Sequence, residues 1–522
     1  MSVTRRDILM RVGSAAGAGA TLAAMQMLGL TAATPASAAD FALPNGSGAG
    51  RSVVILGAGI AGLISAYELR KAGYRVTVIE ARKRVGGRAW TIRGNDIVEQ
   101  IDRPPQQASL GAGLYFNAGP ARLPSTHRAV LGYARRFGVP LETFVNSSHA
   151  AGWDFNGKVI RGRQMMENLN GRIGELLSKS IRSHALDAEM PKEELDQFTR
   201  FLSAYAGLNR EGKLMPQSGS GFSRWPGGYD TPGIPLDPLT LRELLPSRAV
   251  RLPYIFQSII DMQPTMLQPV GGMDRIATAI YEQVKPSVRL GQPITAIRRT
   301  ASGVRVEHGG SATTADYCIC TIPAPVLARI PSDFSAAKKA AIAKVRYLPS
   351  AKVAFEAPRF WEDEGIYGGL AWTDRLNENV IYPSNGYHGP SGVLVGAYVA
   401  GWNHNDTPEA FVKLPISEQI RITRESVEAL HPGKSQLLGN PLVVNWGQVP
   451  YSEGVGAVGP DWGDEKRGAL YDEMLKPEGP ILFAGEHLSY IGLWQEGAAL
   501  SAHEALQVLS AMAGERRTAG AS

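Results

Sequence analysis

Residues 51–88 read RSVVILGAGIAGLISAYELRKAGYRVTVIEARKRVGGR, and the interpretation of the rest of the chain depends on this stretch. Its apolar run Val53–Leu56 is too short for a helix and rich in β-branched residues, which predicts a buried parallel strand. Gly57, Gly59 and Gly62 follow in the spacing G-x-G-x-x-G. They permit, in order, a tight turn, a close approach of the backbone to a pyrophosphate, and close packing of the next helix on the strand.

The second half of the stretch completes a strand–helix–strand unit. The helix is predicted to run to about Lys71 and to stop at Gly73. The next strand, Arg75–Ile79, ends on Glu80, whose carboxylate can accept hydrogen bonds from ribose hydroxyls. Free N–H groups and the dipole at the helix start favour phosphate charges. Glycine turns between strand and helix also occur without a ligand, but the two strands and the terminal acid together indicate a dinucleotide-binding unit.

The segment after the second strand indicates which dinucleotide is bound. Arg84–Arg88 reads RVGGR, which resembles the R-x-G-G-R segment of the flavin amine oxidase family, where it lies along FAD. The alternative is a basic surface turn, but two glycines between two arginines suit a backbone held against phosphate better. The resemblance implies non-covalently bound FAD, contacted in this part of the chain by Gly57, Gly59, Ile60, Ala61, Gly62, Glu80, Ala81, Arg82, Gly87 and Arg88.

Length and composition are those of a soluble globular protein of two or three domains, with 522 residues, 44% of them hydrophobic and 20% charged. The formal net charge is +6. Removing a predicted leader that contains Arg5, Arg6, Arg11 and Asp7 takes away two positive charges and leaves +4. This mild excess lacks the clustered basic stripe of a nucleic-acid-binding surface, so no nucleic-acid partner is predicted. No metal site is predicted either.

Residues 1–38 resemble an export signal. Thr4–Leu9 (TRRDIL) is similar to the twin-arginine pattern, and Ala36–Ala38 is an A-x-A cleavage site that follows an Ala/Gly-rich stretch. A transmembrane anchor is the alternative, but the glycines, Thr21 and Gln26 make the segment a poor span. We therefore expect the twin-arginine export machinery to handle the precursor, and the mature protein to be periplasmic or secreted.

A second resemblance lies at Tyr115–Pro124, which reads YFNAGPARLP. It is similar to the G-P-x-R-[LI]-P segment of L-amino acid oxidases, in which the arginine binds the α-carboxylate of the substrate. A planar guanidinium suits this role because it can hold a carboxylate by two parallel hydrogen bonds. Pairing of Arg122 with a structural acid is the alternative. The resemblance also implies that four residues lie along FAD, namely Gly119, Pro120, Ala121 and Arg122.

Residues 125–261 are predicted to be mostly helical and to contain a loop at Gly219–Pro235. In the family this region is a helical insertion that covers the substrate funnel, so residues that shape side-chain preference are expected in it. His127 is more simply explained as a structurally satisfied histidine than as a general base. The predicted helices are Arg128–Phe137, Met165–His184 and Lys192–Leu208.

Three later positions match residues that face substrate and flavin in the family. Lys352 lies in an apolar strand, where an unpaired ammonium is costly, and the matching family lysine holds a water beside flavin N5. A lysine that snorkels to the strand edge is the alternative. Tyr398 matches a tyrosine that shares the substrate carboxylate with the arginine. Trp446, which precedes the segment PYSEG, matches a residue near the isoalloxazine ring.

The C-terminal part resembles the second FAD signature of the family. Ile481–His487 (ILFAGEH) predicts a buried strand that ends in an acid, and Leu493–Ala498 (LWQEGA) opens a helix to about Ser510. Trp494 would also wall the substrate. The resemblance implies FAD contacts from Gly485, Glu486, Trp494 and Gln495, and from the backbone of Ile294 on the adenine side.

The two cysteines, Cys318 and Cys320, fall within the apolar run Ala315–Ile322, which predicts a core strand. Residues i and i+2 of a strand share one face and lie about 6.6–7 Å apart, near the upper limit for a disulfide. A redox or metal pair is the alternative to two small buried hydrophobic residues, which we favour. Neither cysteine lies in the C-terminal flavin signature, so cysteine-linked FAD is not expected.

The order of these segments predicts an α/β (α+β) amine oxidase fold. A Rossmann-like FAD-binding domain is assembled from residues 51–124, 262–330 and 464–515, a mixed-sheet substrate domain spans 331–463, and the helical insertion spans 125–261. The implied activity is that of an FAD-dependent L-amino acid oxidase. Hydride passes from the substrate Cα to flavin N5, O₂ restores the flavin and gives H₂O₂, and the imino acid hydrolyses to a 2-oxo acid and ammonia.

In this mechanism Lys352 and Trp494 are the predicted catalytic residues. The predicted substrate-binding residues are Arg122, Tyr398, Trp446 and Trp494. An amino-acid 2-monooxygenase would share the first step, an amine or polyamine oxidase would not need Arg122, and a non-catalytic flavin-binding module is a remote third alternative. The preferred side chain, the need for proteolytic activation and the oligomeric state do not follow from the sequence, although a homodimer is usual in the family.

Overall fold

The computed structural model describes residues 41–403, 406–458 and 468–520, so the predicted leader, residues 1–38, lies outside the described residues. Residues 51–88 contribute two strands to a five-stranded sheet in which every neighbouring pair is parallel. One of them has the predicted bounds, and the other begins one residue earlier than predicted. The strand order is Val288–Arg289, Arg75–Ile79, Ser52–Leu56, Tyr317–Cys320 and Ile481–Phe483.

Both faces of this parallel sheet are covered, because side chains alternate between the two faces of a strand. Val53 and Ile55 pack into a core formed with four helices, whereas Val54 and Leu56 pack on the opposite face against a three-stranded antiparallel sheet. The helices are Ile60–Lys71, Arg128–Arg136, Arg275–Val284 and Gln495–Gly520. The strands of the antiparallel sheet are Ile294–Arg299, Val304–His308 and Ser311–Ala315.

The two cysteines lie in the second of these cores. Cys318 and Cys320 are buried and free, and both side chains belong to one apolar cluster, as the i, i+2 spacing predicts. Burial raises the pKa of Cys320 to about 12, so its thiol stays neutral. The prediction of two small hydrophobic core residues is confirmed.

The helix Ile60–Lys71 packs unusually closely on the first strand. A Cβ built on Gly62 would lie 2.0 Å from the backbone oxygen of Gly57, so no larger residue fits there without moving the helix. The helix ends at Lys71 as predicted, and Gly73 follows with φ +89°, a conformation that glycine adopts at little cost. The third glycine of the motif therefore allows the close packing of the helix on the strand that the spacing predicts.

A mixed, seven-stranded sheet forms the other large layer of the molecule. Neighbouring strands are antiparallel, except that Gly369–Thr373 runs parallel to Gly152–Phe155. The helices Thr407–Lys413 and Ile416–Leu430 pack on one face. The strand order is Lys158–Arg161, Gly152–Phe155, Gly369–Thr373, Asn379–Tyr382, Gly392–Val399, Ala351–Ala357 and Gly439–Asn445.

Alternation along Ala351–Ala357 decides which way Lys352 faces. Val353 and Phe355 pack into the core beneath the two helices. Ala354 belongs to a different apolar cluster, which contains Trp446 and lies on the opposite face of the sheet. Lys352 shares that second face, because it is two residues from Ala354 in a strand.

The predicted insertion, residues 125–261, contains more strand than we expected. Two of its segments, Gly152–Phe155 and Lys158–Arg161, form a hairpin that joins the seven-stranded sheet. The turn between them is Asn156-Gly157, with φ +52° and φ +72°. An Asn-Gly pair is a strong signal for a two-residue hairpin turn. The flanking strands are only four residues long, so the alternation in them is too short to predict the hairpin. The description of the region as mostly helical is therefore wrong for this hairpin.

The three predicted helices of residues 125–261 are present to within a few residues, as Arg128–Arg136, Gly162–Arg182 and Lys192–Tyr205. Two short helices that were not predicted, Leu241–Leu244 and Arg251–Ile255, follow them. A three-stranded sheet is formed by Leu123–Pro124, Met266–Pro269 and Leu141–Phe144. The expected loop at 219–235 carries a short hairpin, Phe222–Arg224 with Ile234–Pro235.

The remaining elements are short connections around the two sheets. The helices among them are Ala324–Leu327, Ala336–Lys344 and Gly468–Leu475. Paired strands are Thr91–Arg93 with Tyr115–Asn117, Ile97–Val98 with Gln106–Gln107, and Arg346–Tyr347 with Ala457–Val458. Among the described residues, no helix combines the length and the apolar character that a membrane crossing requires.

Candidate active site

A cavity of about 640 Å³ extends from the carboxyl end of the parallel sheet to the seven-stranded sheet. Four of the parallel strands end on it: Gly57, Glu80, Thr321 and Gly485 each follow a strand by one or two residues and line the cavity. Open α/β sheets bind ligands at this edge, outside the carboxyl ends of the strands. Thr321 was not predicted, although its place after the core strand Tyr317–Cys320 was a signal for it.

Most of the predicted site residues meet in this one cavity. Gly62, Ala121 and Arg122 do not line it. Trp402, Ser350 and Thr321 line it but were not predicted. The predicted residues that line it are Gly57, Gly59, Ile60, Ala61, Glu80, Ala81, Arg82, Gly87, Arg88, Gly119, Pro120, Ile294, Lys352, Tyr398, Trp446, Gly485, Glu486, Trp494 and Gln495.

The glycine turn presents an open, electropositive surface to the cavity. The first backbone hydrogen bond that closes on the turn runs from Leu63 N to Gly59 O, 2.9 Å, so the N–H groups of Ile60 and Ala61 are free of helical acceptors. A Cβ built on Gly59 would meet no atom within 4 Å, so the backbone there faces open space. Free N–H groups, the helix dipole and this gap together form a site for a pyrophosphate.

Glu80 stabilises the turn beside it. Its carboxylate accepts from Ala58 N at 2.7 Å and from Arg82 N at 2.9 Å, and it is 4% exposed. A carboxylate has about four acceptor positions, so these two hydrogen bonds do not exhaust its capacity to accept. The predicted contact of Glu80 with ribose hydroxyls is compatible with this arrangement and stays a prediction.

Glu486 joins the two FAD signatures that the sequence separates. Its carboxylate accepts from Arg88 Nη1 at 2.7 Å and also from the backbone N–H groups of Ala457 and Leu493, at 3.1 and 3.2 Å. The Glu486 side chain is nearly fully buried. Its predicted contact with FAD stays a prediction. What the structure shows is a buried ion pair that ties the C-terminal signature to the R-x-G-G-R segment.

Lys352 is buried among neutral groups. Its ammonium donates to the backbone oxygens of Asn117 at 3.0 Å and Gly119 at 2.5 Å, and it lies 5.0 Å from the ring centroid of Tyr398. Among the described residues, no carboxylate lies within ion-pair distance of it. Burial, and then the positive charge of Arg122, lower the pKa of Lys352 to about 7. The side chain is 3% exposed, so it does not snorkel to the strand edge.

Arg122 is a second buried cation without an anionic partner in the described chain. It is 5% exposed, its Nη2 contacts the Met262 sulfur at 3.1 Å, and its Nε makes no hydrogen bond. The guanidinium carbon lies 5.9 Å from the ring centroid of Phe144 and 5.6 Å from that of Phe256. Burial lowers the pKa of Arg122, whereas Tyr398 raises it. Among the described residues, therefore, no structural acid pairs with Arg122.

Tyr398 links Arg122 to the cavity. It interacts electrostatically with Arg122 and lines the cavity, and its ring centroid lies 5.9 Å from that of Trp402. Trp446 is held on the cavity wall by a hydrogen bond from its indole Nε1 to Ala118 O, 2.8 Å. The predicted substrate-binding side chains thus come from several strands and loops that are distant in the sequence.

His127 lies against the predicted aromatic wall of the substrate site. Its ring centroid is 5.0 Å from that of Trp494 in an edge-to-face arrangement, and its Nε2 lies 3.5 Å from Asp261 Oδ1. The imidazole is 1% exposed, and burial lowers its pKa despite the carboxylate. Neither ring nitrogen makes a hydrogen bond within the described residues, so the expectation of a structurally satisfied histidine is wrong in that respect, although the neutral ring packs against Trp494.

The chain matches the model of the family described as flavin containing amine oxidoreductase over residues 60–509. The chain belongs to this family. It is therefore an oxidoreductase, its cofactor is FAD, and the predicted amine oxidase fold is confirmed.

Relatives of this flavin-containing amine oxidoreductase include L-amino-acid oxidases. The chain is 27% identical over 505 residues to the flavin-dependent L-tryptophan oxidase RebO of Lentzea aerocolonigenes, a match that covers 88% of this chain and 98% of that protein. It is also 27% identical over 493 residues to an L-amino-acid oxidase of Siganus canaliculatus, covering 86% and 83% of the two chains. These identities establish kinship without fixing the substrate.

Solved structures show the same fold. A putrescine oxidase bound to putrescine matches with a TM-score of 0.59 at 19% identity, over 88% of this chain and 99% of that one. A cyclohexylamine oxidase from Brevibacterium oxydans matches with a TM-score of 0.59 at 15% identity, over 88% and 99%. At these identities the likeness concerns the fold alone.

The cavity of this amine oxidoreductase fits FAD by its own features. The open backbone at Gly59 and the free helix N–H groups can receive the pyrophosphate. Gln495, 8% exposed, also lines the cavity at the start of the C-terminal helix, and within the described chain neither its amide nitrogen nor its amide oxygen is hydrogen-bonded. A buried amide without partners is costly, so a polar group of the cofactor can supply them. Neither cysteine lines the cavity.

Proposed function

We propose that the protein is an FAD-dependent L-amino acid oxidase. The single observation that carries this proposal is Arg122, a buried guanidinium with no carboxylate partner among the described residues. A charge is taken out of water at a large cost unless an opposite charge or hydrogen bonds compensate for it. Within the described part of the chain, the hydrogen bond of its Nη2 goes to a thioether, which is a weak acceptor.

The α-carboxylate of an amino acid supplies the missing partner. A guanidinium holds a carboxylate by two parallel charge-assisted hydrogen bonds, which would replace the Met262 contact and satisfy the free Nε. The Tyr398 hydroxyl would share the carboxylate, which is supported by the electrostatic interaction of Tyr398 with Arg122. Simple amines such as putrescine carry no anionic group, so they would leave Arg122 uncompensated, and this favours amino acids over amines.

The neighbouring residues can orient and deprotonate the substrate. FAD, when bound, accepts the two electrons removed from the Cα–N bond region of the substrate. With a pKa of about 7, Lys352 is partly neutral at neutral pH, and a neutral amine has a lone pair that can accept a proton. Its two remaining N–H bonds can keep the contacts to Asn117 and Gly119. Trp494 and Trp446 wall the cavity and limit the orientations of the substrate.

The overall reaction balances with O₂ as the electron acceptor. The amino acid loses two electrons and two protons to become an imino acid, and O₂ gains them to become H₂O₂. Water then adds to the imino carbon, and ammonia leaves to give the 2-oxo acid. No other oxidant is required.

Anaerobic mixing of the purified holoenzyme with L-amino acids, D-amino acids and simple amines tests this proposal. We expect bleaching of flavin absorbance by L-amino acids, and one H₂O₂ per substrate once O₂ is admitted. Bleaching by amines alone would make the protein an amine oxidase, an amide and CO₂ as products would make it a 2-monooxygenase, and no bleaching by any compound would contradict the enzymatic role.

We also propose that the protein is exported by the twin-arginine route. This rests on residues 1–38, which lie outside the described residues. Expression of the full chain in a bacterial host should give a periplasmic or secreted protein whose N-terminus is Ala39. The double substitution Arg5→Lys, Arg6→Lys should keep the precursor in the cytoplasm. A mature protein that retains residues 1–38 would contradict cleavage.

A further inference from the structure

A second, smaller cavity of about 60 Å³ lies beside the large one. Among the described residues, Lys352 is the one that lines both cavities. Nothing in the motifs of the sequence pointed to this second space. It is lined mainly by the segments 113–117 and 381–385, and the strand Gly392–Val399 contributes Val393 and Val395.

The backbone of residues 117–121 forms the wall between the two cavities. Asn117 and Ala121, at its ends, line the small cavity, whereas Ala118, Gly119 and Pro120 line the large one. Lys352 is fastened to this wall, since its ammonium donates to the backbone oxygens of Asn117 and Gly119. A protonated lysine has three N–H groups, so one donor is left after these two contacts.

The small cavity has the properties of a space that holds water. Besides Lys352, six of its lining side chains are polar, namely Tyr115, Asn117, Gln268, Tyr382, Ser384 and Asn385. A cavity needs only about 10–15 Å³ of such volume for one water, so about 60 Å³ holds several, and water enters cavities that are polar. Apolar cavities of similar origin stay dry.

The small cavity also reaches the protein surface. Gly113 at one end is exposed, and Leu114 and Asn385 beside it are half-buried. The Asn385 side chain donates to the Tyr115 hydroxyl at 2.6 Å, which places two polar groups together near this opening. At the other end the cavity stops at Lys352, which is buried.

We propose that the small cavity is a water-filled path by which the proton held on Lys352 exchanges with solvent without crossing the substrate cavity. The Nζ–H bond breaks as the proton moves to an adjacent water, and successive O–H bonds form and break along the waters to the opening at Gly113. No electron transfer is involved. The identification of this proton as one taken from the substrate rests on the proposed function. The existence of the path does not.

The low pKa of Lys352, about 7, supports this role because the group then exchanges its proton in the physiological range. With substrate and FAD filling the large cavity, water would be excluded on that side. A separate path lets Lys352 return to its neutral form while the large cavity is closed by ligands.

A crystal structure of the holoenzyme, with and without xenon under pressure, tests the path directly. We expect ordered waters in the small cavity, one of them within hydrogen-bond distance of Lys352 Nζ, and no xenon. A dry cavity that takes up xenon would overturn the proposal. This measurement needs no substrate, so it stays valid even if no amino acid bleaches the flavin.

Filling the cavity tests its use. Val395 is half-buried on the cavity wall, so Val395→Phe should expel the waters, whereas Val395→Ile adds a single methylene and is the matched control. Proton release during anaerobic flavin reduction, followed with an indicator dye, should slow at least tenfold in V395F and stay within twofold of wild type in V395I. Asn385→Leu, at the opening, is a second variant that adds no bulk beside Lys352 and should slow the release as well.

If V395F and N385L both release protons at the wild-type rate while their crystal structures show the waters displaced, the proton uses another route and the proposal is wrong. If V395F fails to retain FAD, N385L alone decides. Slow release with an unchanged rate of flavin bleaching at saturating buffer would support the path.

Discussion

The two ends of the large cavity treat charge in opposite ways. At the nucleotide end, Arg88 pairs with Glu486 at 2.7 Å and Arg82 lies 3.6 Å from Glu80. At the proposed substrate end, Lys352 lines the cavity, and Arg122 does not line it but interacts with Tyr398 on its wall. Both cations are buried, and among the described residues neither has a carboxylate partner. Paired buried charges hold segments together, whereas unpaired ones raise the free energy of the folded state until a ligand compensates for them. The paired charges therefore stabilise the structure of the site, whereas the unpaired charges are available to a ligand.

The largest effect should come from breaking the ion pair at the nucleotide end. Arg88→Ala leaves Glu486 buried and unpaired, so the free energy of unfolding should fall by about 3–5 kcal/mol. Urea denaturation of the holoenzyme, with wild type and Arg122→Ala measured alongside, checks it. Arg122→Ala removes an uncompensated charge and should leave stability within about 1 kcal/mol of wild type or raise it. Equal destabilisation by both substitutions would break the comparison.

The second effect concerns catalysis at the substrate end. Arg122→Ala should lower kcat/KM for L-amino acids about 10²- to 10³-fold, because the substrate carboxylate then enters a buried site without its guanidinium partner. Steady-state H₂O₂ production measures this loss. The matched substrate control is a simple amine that lacks the carboxylate, whose slow turnover should not fall with it. If turnover of the amino acid survives the substitution, Arg122 is structural.

The third effect is a pH dependence that originates at Lys352. If the neutral amine accepts the proton, the rate of anaerobic flavin reduction should rise with pH through about 7 and then level off. Lys352→Met should remove that rise, and Lys338→Met, which replaces a buried lysine that contacts backbone oxygens of residues 473–476, should keep it. A wild-type profile that is flat between pH 6 and about 8 would contradict the role of Lys352.

Stability should respond to the same group with a definite sign. The pKa of Lys352 is lowered from 10.5 to about 7 by folding, so the unfolded chain binds the proton more tightly between these values. The contribution of Lys352 to the free energy of unfolding should therefore increase as pH rises from about 7 toward 10.5, and be lowest below 7. The difference in unfolding midpoint between wild type and Lys352→Met, measured at several pH values, should show this slope. A pH-independent difference would rule it out.

The smallest effect should come from the weak contact beside Arg122. Met262→Leu removes the thioether at 3.1 Å from Nη2 and keeps the volume, so kcat/KM should change by less than about threefold. Met266→Leu, a buried methionine of the same apolar cluster, is the control for a change in packing. A large loss in Met262→Leu alone would mean that the sulfur stays in place when the carboxylate binds.

Local patterns predicted the nucleotide end with little error. The strand Arg75–Ile79 and the end of the glycine helix at Lys71 were both read from the sequence, because alternation, glycine spacing and strand length act over a few residues. The hairpin at residues 152–161 was missed, although Asn156-Gly157 marked its turn. Its four-residue strands become stable only by joining the seven-stranded sheet, a contact that no local pattern contains.

By itself, the sequence determined the residue types of the site and the order of the FAD-binding segments, since these depend on motifs with fixed spacing. Only the tertiary structure decided that Arg122 and Lys352 have no acidic neighbour in the described chain, and that Lys352 stands between two cavities. The reason is physical: desolvation and pairing depend on every segment packed around a group. The partners of Lys352 are Asn117 and Gly119, more than two hundred residues away along the chain.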